Sequence, residues 1–88
     1  MPAEDRQRID RWLWHARLVR TRVDAAALAD AGYVRVNGAR IGAPSRQVRT
    51  GDVITVALDR RVRVLKVRGF VERRGPAATA QALYEDLT

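Results

Sequence analysis

The chain has 88 residues, of which 47% are apolar, which is enough for one domain with a small core. It contains no cysteine, so disulfides and thiolate metal sites are excluded. Seventeen Lys and Arg residues against ten Asp and Glu residues give a formal net charge of +7, which favours nucleic acid over an anionic membrane surface as the partner. No apolar run reaches the roughly 18 residues of a membrane span, and the polar start MPAEDRQRID lacks the apolar segment of a secretory signal, so we expect a cytoplasmic protein.

The first predicted helix follows an N-terminus, residues 1–7, that we expect to be disordered. His15 and Trp14 lie off the buried face of this helix. The pattern therefore predicts an exposed or RNA-facing histidine and a tryptophan that covers the core edge or the C-terminal segment, with stacking on a base as the alternative. Over residues 8–18, apolar side chains recur at the i, i+3, i+4, i+7 spacing of one buried helix face, and they are Ile9, Trp12, Leu13 and Ala16.

The second predicted helix spans residues 22–31 and begins at a basic joint. Thr21 is a favourable N-cap because its hydroxyl can accept from the exposed amides of the next turn, and Asp24 follows it as a weak capping box. Gly32 is placed to end the helix in the left-handed conformation that glycine adopts at little cost. The free amides and positive dipole end of this helix favour an anion, and the joint before it contains Arg17, Arg20 and Arg22.

A hairpin is predicted directly after the second helix. Residues 33–36 alternate as a strand, with valines on one side. Asn37-Gly38 is a strong signal for a two-residue hairpin turn, and Arg40 and Ile41 begin the return strand.

The remaining chain predicts more strands and a last helix. Extended segments are expected at residues 47–49, 53–58 and 62–67, and Pro76 suits the first turn of a helix over residues 77–87. We therefore expect an α+β fold, in which two N-terminal helices pack on a small, mostly antiparallel sheet and a C-terminal helix follows. Residues 8–71 would form the domain, and residues 72–88 a loop and helix packed on it. The inner face of that helix would be Ala80, Leu83, Tyr84 and Leu87.

No constellation of catalytic or metal-binding residues is visible in the sequence. His15 is the one histidine, and Ser45 has no base within reach in the sequence. Glu85 and Asp86 are adjacent, so on a helix they would point in different directions and could not act as a paired acid and base. We therefore expect no enzyme, no cofactor and no metal site.

The arginines do form a pattern, because they cluster in the first helix, the joint and the hairpin region. If the hairpin folds back beside the helix pair, these side chains converge on one face; the alternative is a solvated surface with scattered charges. The residues expected to converge are Arg8, Arg11, Arg17, Arg20, Arg22, Arg35, Arg40 and Arg46. A second cluster, for which solvated surface is an equally good interpretation, contains Arg60, Arg61, Arg63, Arg68, Arg73 and Arg74.

The stretch RIDRWLWHARLVRTRVDAAALADAGYVRVNGARIGAPSRQVRTGD resembles the RNA-binding domain named after small-subunit ribosomal protein four, also called the alpha-L motif. The Arg-rich helix junction, the later Gly-x-Val-x-Val-Asn-Gly and the final Gly-Asp form the specific part of the match, which covers roughly residues 8–58. The opening Ile-Asp-Arg-Trp-Leu-Trp and the tail Glu-Arg-Arg-Gly-Pro-Ala…Leu-Tyr-Glu-Asp are similar to a ribosome-associated heat-shock branch of that family.

The resemblance implies recognition of structured RNA. For the heat-shock branch it implies binding to the large ribosomal subunit, especially free subunits that retain a nascent chain on tRNA, and rescue or recycling of those subunits. We expect the protein to be a monomer. Members of that branch often continue into a long basic tail, which this sequence lacks, so a contact made by such a tail is not expected. The alternative function is an accessory module that targets a partner protein to RNA. The RNA contacts carried over by match are Arg17, Arg20, Thr21, Arg22, Arg35, Asn37 and Arg46, flanked by Arg8 and Arg11.

Overall fold

The computed structural model of the chain describes residues 5–88 and shows helices packed on one side of an antiparallel sheet. The α+β class expected from the sequence is confirmed. In chain order the elements are β1 (Arg6–Arg8), α1 (Ile9–His15), α2 (Arg22–Asp30), β2 (Val34–Val36), β3 (Ala39–Arg40), β4 (Gln47–Arg49), β5 (Val53–Leu58), β6 (Arg61–Val67), α3 (Ala77–Gln81) and β7 (Tyr84–Asp86).

The main sheet has five strands in the order β3-β2-β5-β6-β7, and β1 and β4 form a separate two-stranded ribbon. Every pairing is antiparallel. In the main sheet, alternate residues face α1 and α2 and are buried, as the period of two predicts. The register brings Val34 opposite Val56, and Ile54 opposite both Val36 and Leu65, so the centre of the inner face is apolar.

The core lies between this layer and the two N-terminal helices. The predicted inner residues of α1 are all buried, and Ala25 and Ala29 of α2 are fully buried beside them. Small residues on α2 let the helices approach closely, and Leu28 packs at the edge of the core. Trp12 donates from its indole Nε1 to the Gly69 carbonyl oxygen at 3.2 Å, so the largest core side chain has its polar atom satisfied.

Both long helices end in the same hydrogen-bonded motif. In α2, Tyr33 N donates to Leu28 O and Gly32 N donates to Ala29 O, which is the Schellman pattern, and Gly32 has the left-handed φ of +83°. In α1, Leu18 N donates to Leu13 O and Arg17 N donates to Trp14 O. The left-handed residue of α1 is Arg17, with φ of +59°, and α1 therefore ends earlier than the apolar spacing predicts.

The prediction that residues 1–7 are disordered is wrong for residues 6 and 7; residues 1–4 lie outside the described part of the chain. Arg6 and Gln7 belong to β1, which pairs with β4. The strand forms because Gln7 turns inward, is buried and donates from Nε2 to the Val71 carbonyl oxygen at 2.9 Å. Short-range patterning does not reveal this pairing, since the partner strand is distant in sequence.

The predicted C-terminal helix over residues 77–87 is also wrong in extent. Helix α3 covers only Ala77–Gln81, and the chain then forms β7 along the free edge of β6. That edge offers unpaired backbone groups, and pairing with it satisfies more of them than another helical turn would. Ala80 and Leu83 are buried as expected, whereas Leu87 lies on the outer face of the sheet and is 45% exposed.

His15 is buried, at 1% exposure, rather than exposed as the helical pattern predicts. The segment of residues 69–75 contacts α1 through hydrogen bonds with Arg11, Trp12 and the Trp14 carbonyl oxygen, which the pattern of a single helix cannot reveal. Trp14 packs against this segment, as expected, with the Arg74 guanidinium 5.5 Å from its ring centroid. Arg74 also donates from Nε to the Trp14 carbonyl oxygen at 3.0 Å, so the C-terminal segment is fastened to the end of α1.

Candidate nucleic-acid interface

The joint between α1 and α2 is an exposed basic corner. Thr21 Oγ1 accepts from Asp24 N at 3.0 Å, so the predicted N-cap is confirmed and the first turn of α2 faces solvent. Arg17, Arg20 and Arg22 are all exposed around it. Among residues 5–88, Arg20 forms no ion pair and Arg17 contacts no carboxylate.

A buried carboxylate, that of Asp10, organises the basic side chains beside this corner. Arg8 donates to it from two nitrogens, at 3.1 and 2.9 Å, and Arg11 N donates to it at 2.7 Å. The Arg22 guanidinium approaches the same carboxylate at 3.8 Å. The Asp10 side chain is only 6% exposed, whereas those of Arg8 and Arg22 are 48% and 45% exposed. One negative charge thus orients two cations and leaves a net positive surface.

Several predicted arginines are held by backbone carbonyl oxygens rather than by carboxylates. A carbonyl fixes a guanidinium without cancelling its charge. The hydrogen bonds are Arg17 Nε to Gly75 O at 2.8 Å, Arg11 to Glu72 O at 2.7 Å, Arg35 to Gly38 O at 3.4 Å, Arg40 to Ala31 O at 3.5 Å and Arg46 Nε to Gln47 O at 3.3 Å. Within residues 5–88, the structure shows no carboxylate beside four of these guanidiniums, those of Arg17, Arg35, Arg40 and Arg46.

The predicted residues do not all converge. Ile9 N donates to the Arg46 carbonyl oxygen at 2.8 Å and Asp10 N to the Pro44 carbonyl oxygen at 3.3 Å, so the loop containing Arg46 lies next to the Asp10 cluster. Arg35, by contrast, alternates with the buried Val34 and Val36 and points to the outer face of the sheet, away from α1 and α2.

Arg40 and Asn37 lie in the hairpin. Arg40 is opposite Arg35 in the strand register, and its guanidinium lies over Gly32, where any Cβ would collide with it. Asn37 adopts a left-handed φ of +52°. Its amide donates to Asp52 at 3.1 Å and its Oδ1 accepts from Val53 N at 2.8 Å, so in this conformation Asn37 closes the hairpin onto β5.

Two basic residues beside this interface were not predicted. Arg6 lies in the segment expected to be disordered, and the sequence predicts only a short extended segment around Arg49, with no role in binding. Both are exposed and face each other across the ribbon of β1 and β4. The alternation of Arg6, Gln7 and Arg8 was the available signal, but three residues are too few to identify a strand.

The second arginine cluster is partly neutralised by the chain's own carboxylates. Arg63 pairs with Asp86 at 2.8 Å and Arg68 with Glu85 at 3.1 Å. The Thr88 backbone amide and hydroxyl, together with the Arg63 guanidinium, lower the pKa of Asp86 from its usual value. The acidic side chains of β7 thus reduce the positive charge of the C-terminal strands.

Residues 5–88 contain no group of three His, Cys, Asp or Glu side chains that could hold a metal ion. Over the same residues, no helix has both the length and the apolar character needed to cross a membrane.

A basic corner at the start of a capped helix, beside a small antiparallel sheet, suits the phosphate backbone of a nucleic acid. The S4 domain model matches residues 7–54, and the chain belongs to the S4-domain family. Over its N-terminal part the chain is also similar to small ribosomal subunit protein uS4 of Azorhizobium caulinodans, with 42% identity over 50 residues that cover 57% of this chain and 24% of the relative.

Relatives named heat shock protein 15 match nearly the whole chain. Heat shock protein 15 of Escherichia coli is 37% identical over 79 residues, which cover 90% of this chain and 59% of the relative. A trimeric structure of Vibrio cholerae heat shock protein 15 superimposes with a TM-score of 0.86 at 33% identity, covering 92% of this chain and 81% of that one. The chain spans about three-fifths of the length of the curated heat shock protein 15 relatives that it matches.

Proposed function

We propose that this chain is a non-catalytic, cytoplasmic RNA-binding protein that recognises structured ribosomal RNA of the large subunit. Its role would be the rescue or recycling of stalled subunits that carry a nascent chain. Support for the ribosome comes from the similarity to ribosomal protein uS4 and from the sequence resemblance to a ribosome-associated heat-shock branch. The large subunit, the tRNA and the nascent chain are partners that the sequence resemblance implies.

The observation that carries the proposal is the positive charge of the helix joint, which the described part of the chain does not neutralise. Arg17 and Arg20 are exposed next to the amides of α2, and no carboxylate of residues 5–88 neutralises them. Folded RNA presents phosphates in a fixed shape, and proteins recognise it mostly through shape and backbone contacts. The joint therefore offers cations at a rigid corner, which suits an irregular phosphate surface better than a flexible basic tail would.

The test compares the double variant R20Q/R22Q with the wild-type chain in binding to a structured rRNA fragment over a range of salt concentrations. Glutamine is chosen because a glutamate at position 22 would face the Asp10 carboxylate. Losing two phosphate contacts should lower the slope of log binding constant against log salt concentration by about 1.8 and weaken binding about 30-fold near 0.15 M salt. Both figures use the contribution per phosphate known for duplex DNA.

The matched control is R60Q/R61Q, which removes the same charge from the hairpin between β5 and β6. The control should bind nearly as the wild-type chain does, and duplex DNA of equal length should compete poorly with the rRNA fragment. Equal affinity of R20Q/R22Q and the control would contradict the proposal, provided that both melt near the wild-type temperature.

One observation favours the second candidate, an accessory module that brings a partner protein to RNA. Tyr33, Val62 and Leu87 are 56%, 53% and 45% exposed, and the alternation of the strands places all three on the outer face of the sheet. The Vibrio cholerae relative forms a trimer, whereas our sequence-based expectation is a monomer. Size-exclusion chromatography with light scattering distinguishes the two candidates by the molar mass in solution. The mass of one chain supports the stand-alone protein, and a multiple of that mass supports association through the outer face of the sheet.

A further inference from the structure

The ribbon of β1 and β4 has one buried and one exposed side. Gln7 and Val48 are opposite each other and point inward, and both are buried. The neighbouring positions in both strands are exposed. Since side chains alternate across a strand, the exposed side displays Arg6 opposite Arg49 and Arg8 opposite Gln47.

Arg6 and Arg49 form a like-charge pair directly opposite each other in the two strands. Directly opposite residues have Cβ atoms only about 4.5–5.5 Å apart, and like charges in this position destabilise a sheet. Within residues 5–88 neither guanidinium has an ion pair or a hydrogen bond that would relieve the repulsion. Arg35 and Arg40 also face each other, but separate carbonyl oxygens hold them.

The ribbon is continuous with the basic corner. Arg8, on the exposed side of β1, shares the Asp10 carboxylate with Arg22, the first residue of α2. On the β4 side, a shallow groove is lined by Arg46, Gln47, Arg49 and Asp52.

Asp52 does not make this groove repel an anion. Its carboxylate already accepts from the Asn37 amide at 3.1 Å and from Arg49 N at 2.8 Å. Both donors hold the carboxylate at the turn, and the groove contains two positive charges, on Arg46 and Arg49, against this one negative charge.

We propose that the exposed side of this ribbon is a second phosphate-binding site, which extends the RNA interface beyond the helix joint. Arg6 and Arg49 bind the sugar-phosphate backbone of the same RNA, and a phosphate between them removes their mutual repulsion. The inference rests on the proposed function, because it assumes that the joint already holds structured RNA.

The experiment uses the full chain with R6Q/R49Q, compared with the wild type, with R20Q/R22Q and with the equally charged control R60Q/R61Q. Binding to the structured rRNA fragment is measured against salt concentration, and thermal melts are recorded in low salt without RNA. For R6Q/R49Q we expect the log–log slope to fall by about 1.8 and affinity near 0.15 M salt to fall about 30-fold. We also expect a melting temperature at or above that of the wild type, because the repulsion is gone.

Weaker RNA binding by a variant that is at least as stable as the wild type supports the second site, since a purely structural role would lower both properties together. If R20Q/R22Q weakens binding but R6Q/R49Q matches the control, the second site is wrong and the proposed function stands. If the wild-type chain shows no salt-dependent binding to structured RNA, both are wrong.

Discussion

Arg17 occupies a position where glycine would fit the backbone better, and this leads to a sharp prediction about stability. Its φ of +59° places a side chain in the left-handed region, which costs an L-residue roughly 1–2 kcal/mol. Replacing Arg17 by Gly removes that strain, but it also removes the Nε hydrogen bond to the Gly75 carbonyl oxygen. The informative comparison is therefore between Arg17→Gly and Arg17→Ala, which both lose the guanidinium and differ only in the backbone cost.

The expected difference between these variants follows from two opposing effects. Glycine gains about 1–2 kcal/mol from the relieved strain and loses roughly 0.5–1 kcal/mol because its unfolded chain is more flexible. The Gly variant should therefore be more stable than the Ala variant by about 0.5–1 kcal/mol. For a chain of 88 residues, an unfolding entropy of about 0.18 kcal/mol/K converts this difference to a melting temperature roughly 3–5 °C higher.

Differential scanning calorimetry of the two variants measures this difference, and RNA binding provides the second readout. Both variants should lose about fivefold in affinity near 0.15 M salt, the value of one phosphate contact. If the Gly variant melts at or below the Ala variant, the left-handed conformation of Arg17 is not a source of strain. If both bind RNA as tightly as the wild type, the guanidinium is not an RNA contact.

Two further predictions concern the hairpin and the last strand. Asn37→Ala removes the side-chain hydrogen bonds to Asp52 and Val53 and forces alanine to a left-handed φ, so the free energy of unfolding should fall by about 1–2 kcal/mol. Asn37→Gly loses the same hydrogen bonds but not the backbone fit, so its free energy of unfolding should fall less. Equal losses for the two variants in urea titrations would contradict the contribution of the left-handed backbone. Asp86 has a pKa lowered first by the Thr88 amide, so its contribution to stability is present above about pH 4 and is lost as the pH falls through the native pKa. Asp86→Asn should therefore have a lower melting temperature than the wild type at pH 7 and the same melting temperature at pH 2. A difference in melting temperature that stays constant across this pH range would refute the assignment to Asp86.

Local signals in the sequence were enough for the joint and the hairpin. The Thr21 cap, the Gly32 terminus and the Asn37-Gly38 turn each depend on residues within one turn of the chain, and each is found as expected. Their physics is short-range, because a cap or a tight turn needs only its own side chain and the adjacent backbone groups.

The rest depends on contacts between distant parts of the chain. Strand β1 forms because β4 lies beside it, and β7 forms because β6 has a free edge. Residues 69–75 reach α1 from more than fifty positions away and bond to Arg11, Trp12 and the Trp14 carbonyl oxygen. Arg17 takes the left-handed conformation without the glycine that normally signals it, because the Schellman hydrogen bonds of α1 and the Gly75 carbonyl oxygen hold it there. A pattern within one helix contains none of this information.

One distant and one local carbonyl contact hold two arginines of the proposed RNA interface in place before binding. An arginine that is immobilised only on binding loses side-chain entropy at that moment, about 0.5–1.5 kcal/mol for each side chain. Arg17 and Arg46 are held through Nε by carbonyl oxygens, so both terminal nitrogens remain as donors and the charge is intact. A carboxylate in place of either carbonyl would hold the side chain equally well but would compete with phosphate. Under the proposed function, the Gln47 and Gly75 carbonyl oxygens contribute to RNA affinity by holding these two guanidiniums.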